Sequence, residues 1–173
     1  MTRSEKLQAL KYALYALLML TAFVLCSARG VMPVLWGAVM NPLPFFVCAV
    51  ALYDGPYAGA AFGVAAGLLS GLHSVAVEGL SSLYLGLYGL AFGLLALIWL
   101  RQIVLNALLG GFFCIVLQGL SRYVFYHGLV FGIPAGQSLQ MMAGELLLAA
   151  LPGLLLCFAV KKIYGKIEEV TNR

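Results

Sequence analysis

Residues 55–71 read Gly-Pro-Tyr-Ala-Gly-Ala-Ala-Phe-Gly-Val-Ala-Ala-Gly-Leu-Leu-Ser-Gly, with a glycine at every fourth position and no charged side chain. Side chains four residues apart lie on one face of a helix. The inner glycines Gly59, Gly63 and Gly67 form two overlapping Gly-x-x-x-Gly steps, a pattern that lets membrane helices approach closely. The stretch therefore predicts a helix that packs through a smooth glycine face within a bilayer.

A second glycine-rich segment lies at residues 80–100 and contains Gly86, Gly89 and Gly93. Gly86 and Gly93 fall about 20° apart around a helix that turns 100° per residue, so they share one side. Two interpretations of the glycine faces are open. They pack against each other inside the protein, or one of them docks a partner membrane protein.

The composition of the whole chain places it in a membrane. Of its 173 residues, 64% are hydrophobic and 9% are charged, and the mean hydropathy is +1.03. Soluble domains carry roughly 25% charged residues, so an ordinary soluble enzyme, a nucleic-acid-binding protein and a disordered chain are excluded. We expect an all-α integral membrane protein with a single transmembrane domain over residues 1–173.

The spacing of charged residues indicates where the helices lie. Most uncharged gaps are about one bilayer long, or roughly 20 residues. Arg29, Asp54, Glu78 and Arg101 stand beside turn residues and are interpreted as loop markers. The pattern predicts a compact bundle of about six transmembrane helices at residues 8–27, 39–53, 56–72, 80–100, 102–125 and 139–160. The second is short, and a partial or re-entrant insertion is an alternative for it.

Lysines and arginines predict the orientation of these helices. Most of them fall on one side of the predicted bundle, and cytoplasmic loops are enriched in these residues. Both termini are therefore expected in the cytoplasm, and residues 161–173 are expected to continue the sixth helix as a basic tail near anionic headgroups. The first apolar segment also resembles a signal peptide, with Arg3 and Lys6 before it, but we expect it to be retained.

The chain offers no motif for enzymatic chemistry. Cys26, Cys48, Cys114 and Cys157 stand one to an apolar segment, without a Cys-x-x-Cys pair, and are interpreted as small apolar side chains. Phosphate-loop, nucleophile-elbow and paired-histidine motifs are absent from the sequence. We expect no enzyme, no cofactor and no metal site; His73, Glu78 and His127 are interpreted as interfacial loop residues.

Glu145 is a carboxylate inside an apolar helix, where such residues are usually paired or functional. At 1.5 Å per residue, Arg122 lies about 31 Å along the helix that starts near Arg101, close to the outer interface. Arg122, or Gln118 one turn deeper, is expected to meet Glu145. We interpret this group as a polar tie between the fifth and sixth helices; a contact with a partner or ligand is the alternative.

The sequence from Asn41 to Arg101 resembles the bacterial rod-shape-determining MreD family. The resemblance is carried by Gly63–Gly71, by Glu78-Gly79-Leu80 and by the glycine-rich segment that reaches Gly93. Family members have a glycine-rich helix that ends in Gly-Leu-Leu-Asp, and here Ser70 occupies the place of the Asp.

The resemblance implies a non-enzymatic scaffold of the cell-elongation machinery in the bacterial cell membrane. It implies an MreC-like bitopic partner and, through it, MreB and the RodA and penicillin-binding-protein synthases of lateral peptidoglycan. The six-helix pattern is also similar to the substrate-binding S components of energy-coupling-factor vitamin transporters, whose first helix docks through an Ala-x-x-x-Ala step like Ala9–Ala13. A small channel or exporter subunit is a third alternative.

Overall fold

Six α-helices make up the part of the protein that the computed structural model describes, which is residues 3–27, 40–71, 80–124 and 134–171. The helices are α1 (Arg3–Ser27), α2 (Leu43–Asp54), α3 (Pro56–Gly71), α4 (Leu80–Ile98), α5 (Val104–Arg122) and α6 (Ala135–Thr171). Strands are absent from these ranges. The expected all-helical class is confirmed.

Four of these helices contain a segment long and apolar enough to cross a bilayer, at Glu5–Ser27, Ser81–Ile98, Val104–Arg122 and Gly136–Val170. Helices α2 and α3 have 12 and 16 residues, or about 18 and 24 Å at 1.5 Å per residue. A hydrocarbon core is roughly 30 Å thick. The sequence predicted about six crossings, whereas the described residues contain four candidate membrane-spanning helices and two shorter ones.

Helix α2 begins at Leu43, four residues later than predicted. Met40, Asn41 and Pro42 precede it without helical structure, and the Asn41 side chain accepts a hydrogen bond from the Leu43 amide at 3.3 Å. Asn41 precedes Pro42, and a residue in that position is pushed away from helical dihedrals, which disfavours a helix that runs through Asn41. Pro44 lies in the first turn, where its missing amide hydrogen removes no helical bond.

The short α2 lies at the centre of the bundle and contacts all five other helices. Every side chain from Leu43 to Tyr53 is buried, which explains why this stretch is apolar on all sides. The Phe45 ring packs against Gly111 of α5 and Gly153 of α6. A Cβ atom added at Gly111 would lie 2.7 Å from the Phe45 Cγ, and one added at Gly153 would lie 2.6 Å from it. Glycines on two helices therefore make room for one ring of the central helix.

A tight corner joins α2 to α3. Gly55 has φ +91°, a conformation that L side chains rarely adopt, and its amide donates to the Ala51 carbonyl at 3.2 Å. Pro56 then opens α3, where its fixed φ suits the first helical position. The corner turns α3 back along α2 and onto α4, and α3 packs most extensively against α4.

The outer helices differ in how much they are enclosed. The candidate span of α1 is the least buried of the four, and α1 contacts α6, α2 and α3. Helix α6 begins at Ala135, four residues earlier than predicted, and continues through the basic tail to Thr171. Its 37 residues extend about 55 Å at 1.5 Å per residue, well beyond the thickness of a bilayer core.

Candidate functional site

The predicted glycine face of α3 lies directly against α4. A Cβ atom at Gly59 would lie 2.9 Å from the Gly89 carbonyl oxygen, and one at Gly63 would lie 3.0 Å from the Gly86 Cα. At Gly67 the added atom would lie 2.6 Å from the Ser81 carbonyl oxygen. These distances are shorter than van der Waals contact, so only glycine permits the two backbones to approach this closely.

The glycines of α4 face α3 in return. A Cβ at Gly86 would collide with the Val64 side chain, and one at Gly93 would lie 2.5 Å from the Pro56 Cα. The structure thus brings all six glycines to one interface between α3 and α4. The Ser70 hydroxyl donates to the Gly67 carbonyl of its own helix at 3.0 Å.

Arg122 and Glu145 form an ion pair between α5 and α6. Arg122 Nη2 donates to both carboxylate oxygens of Glu145, at 3.0 and 2.9 Å. The Glu145 side chain is 8% exposed, whereas that of Arg122 is 40% exposed. The pair therefore joins a buried carboxylate to a guanidinium that is partly exposed at the protein surface.

Gln118 lies one turn deeper on α5 and is buried. Its Oε1 has no hydrogen-bond partner within the described ranges. Of the two residues predicted to meet Glu145, Arg122 forms the ion pair. Gly119, the next residue, faces α6, where a Cβ would lie 2.8 Å from the Met142 Cγ. Helices α5 and α6 are thus held by close packing as well as by charge.

A second ion pair, between Lys11 of α1 and Asp54 of α2, was not predicted. Lys11 Nζ donates to Asp54 Oδ1, and the two side chains are 13% and 4% exposed. Asp54 ends α2 directly before the corner to α3, as its interpretation as a loop marker requires, but its side chain is buried in the bundle. Lys11 Nζ also lies 5.3 and 5.5 Å from the ring centroids of Tyr12 and Tyr164, a range in which cation–π attraction acts.

The Lys11–Asp54 pair identifies one end of the bundle, which we call the Asp54 end. Tyr164 of α6 lies 5.5 Å from Tyr53 between ring centroids, so the C-terminal part of α6 reaches the same end as the N-terminal part of α1. A cavity of about 390 Å³ opens there and is lined by both Asp54 and Gln102 of the α4–α5 link. Arg122 and Glu145 lie at the opposite end.

The described ranges contain no group of three or more His, Cys, Asp and Glu side chains that could hold a metal ion. All four cysteines are free, and Cys48, Cys114 and Cys157 are buried. His73, Glu78, His127 and Arg29 lie outside the described residues. Comparison with protein-family models, with curated proteins and with solved structures finds no match for this chain.

Proposed function

We propose that this chain is a non-enzymatic membrane scaffold of the bacterial cell-elongation machinery, which maintains rod shape and builds lateral peptidoglycan. Its partner is an MreC-like bitopic protein, through which it associates with MreB and with the RodA and penicillin-binding-protein synthases. It is placed in the bacterial cell membrane with both termini in the cytoplasm. The resemblance to the MreD family over residues 41–101 supports this assignment.

The solid interior around α2 is the observation that carries the proposal. A small-molecule site in the middle of the bundle would need a cavity there with several converging polar groups, whereas α2 fills that centre with the buried side chains Leu43 to Tyr53. The cavity of about 390 Å³ lies at the Asp54 end of the bundle instead. A filled centre suits a protein that holds partners in place rather than binding a small molecule there. The close glycine interface of α3 and α4 supports the same role, because it fixes the two helices that carry the resemblance.

The partner must use a surface other than the glycines, since these face each other between α3 and α4. Small side chains also allow close helix approach in lipid. Ala61 on α3 and Ala9 and Ala13 on α1 remain exposed. These faces are the places at which a single-helix partner can approach the backbone.

Depletion of the chain in a rod-shaped host tests this function. We expect the depleted cells to become round. In a second experiment, a photoreactive residue at Ala61 of the expressed chain is expected to capture an MreC-like protein, and the same residue at Leu151 of α6 is the control. Leu151 is 74% exposed, so it reports capture by a lipid-facing position. Unchanged rods together with capture of no bitopic protein would contradict the scaffold.

The S-component alternative is favoured by one observation, the exposure of both Ala9 and Ala13 on α1. In that case the Ala-x-x-x-Ala step would dock a transmembrane coupling subunit. Normal rods that acquire a vitamin requirement on depletion would support this alternative. Enlarging both alanines to leucine would then abolish vitamin uptake without changing cell shape.

A further inference from the structure

The outward side of α6 carries one continuous stripe of exposed side chains. Leu151, Leu155 and Phe158 are 74%, 70% and 53% exposed, and Lys162 and Lys166 are exposed as well. Successive members are three or four residues apart, a spacing that keeps side chains on one face of a helix. The stripe therefore runs from an apolar part into a basic part without leaving that face.

The opposite side of α6 packs into the bundle. Gly153 lies against the Phe45 ring of α2. Cys157 and Val160 are fully buried, and Tyr164 packs against the same core. Within the described residues, the stripe thus faces what surrounds the protein rather than another helix.

The change from apolar to basic side chains marks a depth in the membrane. Residues 146–160 of α6 are uncharged, and Lys161 and Lys162 follow them. Tyr164, two residues further, has its ring centroid 5.5 Å from Lys11 Nζ at the Asp54 end. Long basic side chains near the end of a membrane helix extend to the lipid headgroups. The basic part of the stripe thus lies at headgroup depth.

The two lysines of the stripe leave room for an outside anion. Neither Lys162 nor Lys166 forms an ion pair within the described part of the chain. Because they are four residues apart, their Cβ atoms lie about 5–6 Å from each other and their like charges repel. The acidic residues Glu168 and Glu169 follow both lysines, further from the apolar part of the helix. An anion that approaches from the membrane side therefore meets the lysines first.

We infer that this stripe binds an anionic phospholipid. The lipid phosphate lies between Lys162 and Lys166, and an acyl chain follows Phe158 and Leu155 toward the middle of the bilayer. A zwitterionic lipid brings an ammonium group of its own to the two lysines, so it binds less well. The site excludes Lys161, which lies about 100° around the helix from Lys162. The inference does not depend on the proposed function.

Native mass spectrometry of the full chain tests the inference. The protein is incubated in detergent with equal amounts of phosphatidylglycerol and phosphatidylcholine of matched acyl chains, and the ratio of the two bound lipids is measured. We expect phosphatidylglycerol to be favoured by about fivefold for each lysine, the effect of one basic side chain near anionic headgroups. Glycerol 3-phosphate, which has no acyl chain, is expected not to be retained. Equal binding of the two lipids, or retention of glycerol 3-phosphate as strong as that of phosphatidylglycerol, would overturn the inference.

Single replacements separate this site from the general attraction between a basic helix end and anionic lipids. Lys162→Gln and Lys166→Gln are each expected to lower the lipid ratio about fivefold. Lys161→Gln is the matched control, because Lys161 has the same charge at the same depth on another side of α6, and it is expected to keep the wild-type ratio. All three side chains are exposed, so the replacements leave the core intact. An equal loss in all three variants, or an unchanged ratio in Lys162→Gln and Lys166→Gln, would contradict the site.

Discussion

Individual glycines determine how closely the helices of this protein approach. Gly63 illustrates the effect, because its hydrogen faces the backbone of α4 at Leu85 and Gly86. No water-driven force brings helices together in lipid, so van der Waals contact at such places supplies much of the attraction. An added side chain there meets backbone atoms, which cannot move aside as a flexible side chain does.

Gly63→Leu is therefore expected to destabilise the isolated chain, at or above the upper end of the about 1–3 kcal/mol that overpacking typically costs. Thermal denaturation of the monomer in detergent measures the change. Ala61→Leu on the exposed face of α3 is the control and is expected to melt as the wild type does. An unchanged melting temperature for Gly63→Leu would show that this glycine serves a partner rather than the α3–α4 interface.

The two residues of the Arg122–Glu145 pair are not equivalent. Loss of the cation leaves a buried carboxylate unpaired, whereas loss of the carboxylate leaves an arginine that is 40% exposed and can reach headgroups or water. We expect Arg122→Met to cost about 1–3 kcal/mol, below the range for a fully buried pair because Arg122 is partly exposed. Glu145→Gln should cost less.

A double-mutant cycle with Arg122→Met and Glu145→Gln, read by chemical denaturation in detergent, measures the coupling between the two side chains. A favourable coupling free energy between Arg122 and Glu145 supports their role as a tie between α5 and α6. Additive single effects would contradict it.

Some of these residue contacts can be predicted from the sequence and others cannot. The glycine period of Gly59, Gly63 and Gly67 and the isolated carboxylate of Glu145 are visible without coordinates, because each breaks an otherwise apolar pattern. The Lys11–Asp54 pair is not visible in the sequence, because the two residues are 43 positions apart and no periodic pattern links them. The order of charges indicated a loop at Asp54 but not the residue that pairs with it.

Among the helices, α2 has the most unusual position, since it is the shortest and the most enclosed. Its residues are apolar on every side, so its sequence has no face from which neighbours can be inferred. The late start at Leu43 and the contacts with the other five helices became evident only in three dimensions. Phe45 shows why, because the glycines that accommodate it, Gly111 and Gly153, lie far along the chain on α5 and α6.

The fit of Phe45 can be tested with one methyl group. Gly111→Ala places a Cβ against the ring, and Gly153 on the other helix limits how far the ring can move. We expect a loss of about 1–3 kcal/mol in the free energy of unfolding. Gly165→Ala in α6 is the control, because a Cβ there meets nothing within 4 Å, and alanine favours helix by about 1 kcal/mol. Equal stability of the two variants would refute this fit.

Helix α1 is held differently, with less burial and one buried ion pair. Lys11→Met leaves Asp54 without its cation, and we expect the first half of α1 to open more often than the other helices. Hydrogen–deuterium exchange measures this opening and should show faster exchange over the N-terminal half of α1. Lys6→Met is the control, since Lys6 is exposed. Wild-type exchange in Lys11→Met would mean that apolar packing alone holds α1.

The described part of the molecule has two distinct ends, and an interhelical ion pair lies at each. Lys11, Asp54 and Tyr164 bring α1, α2 and α6 together at one end, while Arg122 and Glu145 join α5 and α6 at the other. The order of charges along the chain predicted that Lys11 and Arg122 lie at opposite ends, because the chain runs in the opposite direction in each successive long helix. The depth of α2 was not predictable in this way, since a buried short helix and a short span have the same composition.

The most direct test of the account is two-sided cysteine labelling of the chain in its native membrane. Single cysteines at Gln102, Gly136 and Lys166, all exposed, are introduced after the four native cysteines are replaced. Gln102 and Gly136 flank α5, and Lys166 follows the apolar part of α6. We predict that membrane-impermeant reagent labels Gln102→Cys and Lys166→Cys from the cytoplasmic side and Gly136→Cys from the opposite side. Labelling of Gln102→Cys and Gly136→Cys from one side would contradict a bundle that crosses the membrane.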